Sequence, residues 1–465
     1  MNNTAVISSG GLREKVKTER KQSALLEKLK KSGSLILIAA MFVIGSAVAL
    51  LFNIPIKSVM SNYSYDVLAI LIVMELFTNL IAETGIMQLL AIKIAEMSKG
   101  KKRLCLMMFG GMMFLISSCL NNITAVMMIL PIVFVLLKTL EVDKKYVCTF
   151  FAAILALSNT GGAASPVGDF PAIVIMTSGI TSFLSYLTHA FPLFAITSAV
   201  LIAVWGLHVK KENDDGALRK LAVTNLKSQY KNIEIRFDVL KLLAVVFVGM
   251  FLAWSFVPQN IIPPEIIAIL GYGIAMVICS VKKIKVRQIM DLKSVLTIAS
   301  FLFFAQVVSQ TGVLNLLAAY LQNHIDNPKI LVMVIMVITS LVAGIFSAGP
   351  AAAAMMPVII NICQGPLGGQ SDWIAVAYAA AICAGSSLFM WSATAGFILS
   401  GKVNGADIEA EDGKKTSWGV GQYLKYGFVN YAIQLSIALA VQYFRRRSSC
   451  TSKLAPNVCS FELTL

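Results

Sequence analysis

The stretch Ser158-Asn159-Thr160-Gly161-Gly162-Ala163-Ala164-Ser165-Pro166-Val167-Gly168-Asp169-Phe170-Pro171 decides the fold. It stands between two apolar runs, residues 146–157 before it and residues 172–176 after it. Two prolines, a glycine pair and an acid in an apolar segment predict a broken helix. Because lipid cannot satisfy the backbone groups that a break frees, such a break persists only inside protein or beside a water-filled cavity. An Asp inside the membrane is a functional residue by default, so the stretch predicts half of a transport site.

The composition is that of a membrane protein. Hydrophobic residues make up 57% of the chain, charged residues make up 14%, and the mean hydropathy is +0.77. Apolar runs of spanning length recur from residue 35 to residue 444. The net charge of +15 does not indicate nucleic-acid binding, because the basic residues lie between the apolar runs and orient the chain by the positive-inside rule. The sequence predicts an all-α polytopic protein of the cell (inner) membrane, with its N-terminus in the cytoplasm.

Two apolar segments are interrupted in the middle and are predicted to be re-entrant hairpins. The first, residues 104–137, is interrupted around Asn121-Asn122 and has basic residues at both ends, which places both ends in the cytoplasm. The second, residues 330–362, is interrupted at residues 347–350, and its flanking loops contain one Lys and no Arg. We expect this hairpin to enter from outside. In total, about 11 membrane-crossing or re-entrant elements are predicted.

The loops divide the chain into two membrane halves with three polar segments. Within the halves, single spans are expected over residues 66–95 and over residues 294–321. The predicted parts are a basic cytoplasmic N-terminal segment (1–33), a first half (34–209), a mixed-charge cytoplasmic linker (210–236), a second half (237–445) and a polar tail (446–465).

The two halves match each other in sequence. Three pairs of segments align at nearly one offset, and the loop charges give the two copies opposite directions, which indicates inverted repeats. Interrupted segments at matching positions of inverted repeats point to the binding site of a secondary transporter. In such a site helix N-termini favour an anion, whereas unwound carbonyl groups favour a cation. The matching pairs are residues 77–85 with 304–312 (offset 227), 123–131 with 349–357 (offset 226) and 158–171 with 383–396 (offset 225).

Hydroxyl, amide and carboxyl groups in the interrupted segments are the candidate ion- and substrate-binding residues. Hard monovalent cations prefer neutral oxygens with at most one carboxylate, so a sodium site is expected at Asn122, Asn159 and Asp169. The full set is Asn121, Asn122, Thr124, Ser158, Asn159, Thr160, Ser165 and Asp169 in the first repeat, and Ser347, Ser386, Ser387, Ser392 and Thr394 in the second.

Asp169 and Glu83 are the candidates for proton coupling. An antiporter needs a group that exchanges a proton for the ion, and removal from water favours the protonated carboxyl. Each residue has a second interpretation: Asp169 caps the half-helix that follows it, and Glu83 lies at the membrane interface. The repeats differ in charge, because Asp169 aligns with Thr394 and Asn122 aligns with Ala348. One half therefore supplies the charged chemistry.

The pattern Asn-x-Gly-Gly-x-x-x-x-x-Gly-Asp, here Asn159, Gly161, Gly162, Gly168 and Asp169, resembles that of the ion transporter superfamily. This superfamily includes arsenite permeases, NhaD-type sodium/proton antiporters and divalent-anion/citrate symporters. The run from residue 165 to residue 169 looks most like the NhaD type. The resemblance covers residues 35–444, and it implies that the three glycines belong to the binding site.

The resemblance implies a secondary transporter that works as a homodimer in the membrane lipid and binds a small inorganic ion or a small anion. Sodium/proton antiport is the first hypothesis, and sodium-coupled symport of a carboxylate or oxyanion (citrate, dicarboxylate, arsenite) is the second. Asn121 stands where the antiporters have Asp, a departure that puts more weight on Asp169. The chain has no Gly-x-x-x-x-Gly-Lys-Ser/Thr loop, so neither an enzyme nor an ATP-driven subunit is expected. No cofactor is expected apart from sodium as the coupling or transported ion.

Overall fold

The computed structural model describes residues 38–140, 142–209, 216–230, 235–284, 292–364, 368–406, 408–409 and 415–444. The predictions for residues 1–33 and for the tail 446–465 lie outside this part of the chain. The described helices, in chain order, are α1 Ile38–Leu51, α2 Ile56–Ser61, α3 Tyr65–Ala82, α4 Ile86–Met97, α5 Lys102–Ser117, α6 Asn122–Thr139, α7 Lys144–Ala163, α8 Phe170–Thr177, α9 Phe183–His208, α10 Gly216–Gln229, α11 Phe237–Phe256, α12 Pro264–Val281, α13 Leu292–Gln310, α14 Val313–His324, α15 Pro328–Phe346, α16 Ala348–Gln364, α17 Ser371–Ser386, α18 Gly396–Gly405 and α19 Val420–Phe444.

The described helices are those of a polytopic membrane protein. Eight of them (α3, α6, α7, α9, α11, α12, α15 and α19) are long and apolar enough to cross a bilayer, and the bent pair α13 and α14 makes up to nine. Helices α1 and α16 are apolar but shorter. The prediction of an all-α membrane fold is confirmed. Length alone does not identify a span, however, because α6 and α15 are arms of hairpins.

Contacts at the helix ends define two opposite faces of the molecule. Tyr426 of α19 contacts both Thr149, near the start of α7, and Trp205, near the end of α9. At the other end, Trp373 at the start of α17 packs on His189 near the start of α9, with 4.8 Å between ring centroids. We call the first end face 1 and the second face 2. Because α7 starts at face 1 and α17 starts at face 2, the equivalent helices of the two repeats run in opposite directions.

The two interrupted segments form hairpins that enter from opposite faces. The Tyr146 hydroxyl at the start of α7 donates to the Lys102 carbonyl oxygen at the start of α5 over 2.7 Å, and only four residues separate α6 from α7. Both arms of the α5–α6 hairpin therefore meet face 1. In the other hairpin, Val332 near the start of α15 lies by Ile359 near the end of α16 and by Ile374 near the start of α17. Both arms of α15–α16 therefore meet face 2.

The spans expected over residues 66–95 and 294–321 are each broken in the structure. Helix α3 ends before Gly85 and α13 ends before Gly312, and both glycines have left-handed backbone with φ of 78° and 75°. Glycine adopts this conformation without the Cβ penalty and commonly ends a helix. The two breaks lie 227 residues apart, so they are equivalent in the two repeats, and α14 turns away from α13 by 59°.

Candidate functional site

The site lies where α7 and α17 cross near the middle of the membrane. The Asn159 side-chain amide (Nδ2) donates to the hydroxyls of Ser386 over 3.4 Å and Ser387 over 3.5 Å. Asn159 and Ser386 are each 15 residues from the start of their helices, which corresponds to about 22 Å along a helix. Since these helices start at opposite faces and a bilayer with headgroups is about 40–45 Å thick, the crossing lies near mid-depth.

Asp169 occupies the junction of the two repeats. Its Oδ1 atom accepts a hydrogen bond from the Phe170 backbone N–H over 2.8 Å, so the carboxylate caps α8 as one of its two interpretations predicted. The Thr394 hydroxyl lies 3.5 Å from both carboxylate oxygens. Thr394 is the residue that aligns with Asp169 at the repeat offset of 225, so their contact lies on the pseudo-two-fold axis. Among the described residues, Asp169 is the only Asp, Glu, Lys, Arg or His that is buried.

Gly162 lets Asn122 and Asp169 approach each other. A methyl group at Gly162 would lie 2.6 Å from Asn122 Nδ2, 2.7 Å from Asn122 Oδ1 and 2.8 Å from Asp169 Cβ. Gly161 makes a similar approach to the Phe114 carbonyl oxygen of α5. The predicted break of the helix in this stretch is present, but it does not lie at the glycine pair, because α7 continues through both residues to Ala163 and α8 begins only at Phe170. The glycines serve close packing, and the break begins only after them.

Several polar atoms at this junction are buried without a hydrogen-bond partner. They are both amide atoms of Asn122, the Oδ1 atom of Asn159 and the hydroxyl of Ser117. An unpaired buried polar group costs about 1–3 kcal/mol, so such atoms indicate a place for a ligand. Two amide oxygens and one carboxylate are hard, oxygen-only donors, which fits sodium rather than a transition metal. The residues present therefore fit the sodium ion that the sequence predicts.

Other candidate residues hold the backbone around the junction. Asn121 caps α6, because its Oδ1 atom accepts from the N–H groups of Ile123 and Thr124 over 3.0 and 3.4 Å. The Ser165 hydroxyl donates to the Ser118 carbonyl oxygen at the tip of the first hairpin. In the second repeat the Ser347 hydroxyl donates to the Ser392 carbonyl oxygen over 3.0 Å. In each repeat, then, the hairpin tip is tied to the linker between the two half-helices.

Gly168 brings this linker close to the first hairpin. A methyl group there would lie 2.6 Å from the Gly162 carbonyl oxygen and 2.7 Å from the Ser117 carbonyl oxygen. Thr124, in the first turn of α6, is half-buried. All three glycines of the motif therefore lie at close approaches: Gly162 to Asn122 and Asp169, and Gly161 and Gly168 to the end of α5.

Three predicted residues point away from this junction. The Ser158 hydroxyl donates to the Leu155 carbonyl oxygen, and Thr160 pairs with Ser198 of α9 over 2.7 Å. Glu83 is exposed at the end of α3, beside the break at Gly85, and is not brought together with Asp169. Its alternative interpretation as an interfacial residue agrees with that exposure.

Two further residues, which no sequence motif marked as candidates, lie at the site. The Phe170 ring packs on Gly349 of the opposite hairpin, where a methyl group would lie 2.9 Å from the ring. Ser117, with its unpaired hydroxyl, ends α5. Phe170 directly follows Asp169, and Ser117 lies close to the hairpin interruption. These positions were the only sequence signals that could have identified the two residues.

The chain is similar to two curated proteins in sequence and to one solved structure in fold. An uncharacterized transporter of Mycobacterium tuberculosis is 26% identical over 350 residues, which is 73% of this chain and 79% of that protein. The magnetosome protein MamN of Magnetospirillum gryphiswaldense is 23% identical over 361 residues, which is 76% of this chain and 79% of that protein. The crystal structure of the YdaH transporter of Alcanivorax borkumensis superimposes with a TM-score of 0.51 at 13% identity, covering 89% of this chain and 96% of that one, and shows a shared fold.

The family assignment comes from a sequence profile. The profile of the family described as CitMHS, citrate transporter, matches residues 24–383, which include both hairpins, Asn159 and Asp169 but end before Ser386 and Ser387 of α17. This match spans more than half of the chain. The chain belongs to the CitMHS family of the ion transporter superfamily, whose members are secondary transporters and not enzymes.

Proposed function

We propose that this protein is a sodium/proton antiporter in which Asp169 binds sodium and protons in turn. The observation that supports this most is the position of Asp169 as the only buried Asp, Glu, Lys, Arg or His in the described part of the chain. It lies where the two repeats meet, beside the Asn122 amide. Both polar atoms of that amide and the Oδ1 atom of Asn159 are buried without hydrogen-bond partners.

The exchange follows from the cost of a buried charge. An ionised carboxylate in this environment requires a counter-ion, and the neutral oxygens of Asn122 and Asn159 complete the coordination of sodium. When sodium leaves, a proton neutralises the carboxylate instead. Since one carboxylate holds either ion but not both, movement of sodium in one direction is tied to movement of protons in the other.

The test is a pH-gradient assay in proteoliposomes with sodium added and no organic anion present. Asp169→Asn keeps the size of the side chain but removes the titrating group, so we expect at least a 100-fold loss of sodium-driven proton movement. The control is Asp326→Asn, the same change at an exposed acid between α14 and α15, which should leave exchange unchanged. Sodium-driven proton movement at the normal rate in Asp169→Asn would refute antiport at this residue.

A second candidate function is sodium-coupled symport of a citrate-type carboxylate. The family description favours it, and so do four helices, α6, α8, α16 and α18, that begin at the interruptions and present N-termini there. Among the described residues no Lys or Arg is buried, so a multivalent anion would depend on a bound cation to offset Asp169. Uptake of labelled citrate that requires a sodium gradient, in vesicles that show no sodium-driven proton movement, would favour symport over antiport.

A further inference from the structure

A second polar cavity lies apart from the junction at Asp169. Its volume is about 500 Å³, and it is enclosed by α3, α8, α13, α14 and α16. We call it the face 2 vestibule. Its polar lining residues include Asp66, Thr177, Gln306, Ser309, Asn315 and Asn361.

The vestibule lies at face 2. The end of α3 is fixed at face 1, because the Thr84 carbonyl oxygen accepts from the N–H of Arg236 at the start of α11. Helix α11 then runs to face 2, where Trp254 stacks on Phe183 at the start of α9. Asp66, in the first turn of α3, is therefore at face 2, together with the last turns of α16.

The floor of the vestibule is close to the candidate ion site. Val174 of α8 and Ala353 of α16 line it, and each is five residues from the helix end at the junction, Asp169 and Ala348 respectively. Five residues of helix correspond to about 7.5 Å. The buried Phe170 ring, in the first turn of α8, packs on Gly349 of the second hairpin. The vestibule and the Asp169 junction thus lie close to each other along α8 and α16.

The lining of the vestibule has a single sign of charge. Asp66 is the only ionisable side chain among the described residues that line it, and the polar groups around it are amides and hydroxyls. A carboxylate in a cleft with low-dielectric walls raises the local concentration of cations. Amide and hydroxyl oxygens can replace part of the water shell of an incoming ion.

We propose that the face 2 vestibule is an outer binding site for a hydrated monovalent cation, held by Asp66 before the ion passes to Asp169. This inference rests on the proposed function in one respect, namely that a cation is the transported or coupling ion. It assigns Asp66 a role in ion capture from one face, distinct from the exchange chemistry at Asp169. The alternative is that Asp66 only stabilises the start of α3 through the helix dipole.

The first experiment compares Asp66→Asn with Asp326→Asn in oriented vesicles. With sodium offered from face 2 at about 10 mM ionic strength, where charges act over about 30 Å, Asp66→Asn should raise the KM for sodium about fivefold and leave the maximal rate within about twofold. In 1 M choline chloride, where the screening length is about 3 Å, the difference should vanish. Asp326→Asn, the same change on an exposed acid of the same face, should not raise the KM.

The second experiment does not depend on transport. Asn361→Cys, in a background with the native cysteines changed to alanine, is labelled with a cationic and an anionic methanethiosulfonate reagent. The ratio of the two labelling rates should favour the cation and should fall about fivefold when Asp66→Asn is added. Equal ratios with and without Asp66 would overturn the proposal, as would a sodium KM that Asp66→Asn does not change.

The outcomes separate this proposal from the proposed function. If Asp169→Asn retains normal sodium-driven proton movement, antiport at Asp169 fails, while the labelling ratio still reports whether the vestibule attracts cations. If Asp169→Asn abolishes exchange but Asp66→Asn changes neither KM nor labelling, only the outer site is refuted. A fall in Tm for Asp66→Asn with unchanged KM and labelling would identify Asp66 as a structural residue and also refute the outer site.

Discussion

Replacing Gly162 by alanine tests whether the close approach of α7 to Asn122 and Asp169 forms the ion site. The new methyl carbon would lie 2.6 Å from Asn122 Nδ2 and 2.8 Å from Asp169 Cβ, whereas ordinary contacts begin at 3.4 Å. The amide must therefore retreat by about 0.8 Å and the Asp169 side chain by about 0.6 Å. Overpacking of this kind costs about 1–3 kcal/mol, and the better helix propensity of alanine offsets about 1 kcal/mol of it.

The expected effect on transport is larger than the effect on stability. Ligand positions at an ion site tolerate only about 0.2 Å, and a misplacement near 1 Å can cost 100-fold in rate. Gly162→Ala should therefore reduce sodium-driven proton movement in proteoliposomes by about 10- to 100-fold, with a free energy of unfolding lower by at most about 2 kcal/mol. The readouts are the initial rate and KM for sodium, together with the Tm of the protein in detergent.

A matched control is Gly249→Ala in α11, where no atom lies within 4 Å of the new methyl group. Alanine in an open helical position should stabilise the protein by about 0.5–1 kcal/mol and leave transport unchanged. If Gly162→Ala transports sodium at the normal rate and KM, the Asn122 amide does not take part in ion binding as inferred.

Two further changes address the junction between the repeats. Asn159→Ala removes an unpaired buried oxygen and a hydrogen bond to Ser386, so the Tm should change little while the KM for sodium rises about tenfold; a lower Tm with unchanged KM would contradict a binding role. The double variant Asp169→Thr with Thr394→Asp moves the carboxylate across the pseudo-two-fold axis. In the same vesicles it should exchange sodium and protons about tenfold faster than Asp169→Thr alone. The reason is that the two side chains already lie 3.5 Å apart, so the carboxylate stays at the site.

The hairpins were predictable because their signals are local in sequence. Basic residues at both ends of residues 104–137 predict that both ends lie on the same side of the membrane. The structure agrees, because the Tyr146 hydroxyl contacts the Lys102 carbonyl oxygen. The interruption at Ser347 was visible as small residues and a proline within an apolar run. In the structure the interruption is a single residue, Ser347, which has a φ of 91°, because α16 begins directly after it.

The breaks at Gly85 and Gly312 were not predictable because the apolar pattern continues through them. A left-handed glycine ends α3, and a distant contact holds the break, since the carbonyl oxygen of Thr84 accepts a hydrogen bond from the N–H of Arg236. The sequence also could not show that α3 stops just before Glu83 and leaves this carboxylate exposed. Its role in proton coupling stays a prediction. The face 2 vestibule likewise has no local signal, because its lining comes from five helices.

Asp169, the only buried acid among the described residues, lies on the pseudo-two-fold axis, and this position explains how both faces can use one site. In an inverted repeat, exchange of conformation between the two halves converts a site open to one face into a site open to the other. A residue away from the axis would have different neighbours after that exchange. The other repeat would then need an equivalent residue to form the same site. Asp169 contacts its own counterpart, Thr394, so it keeps equivalent neighbours in both states. One carboxylate can then serve both faces, which explains how the second repeat functions with a hydroxyl where the first has an acid.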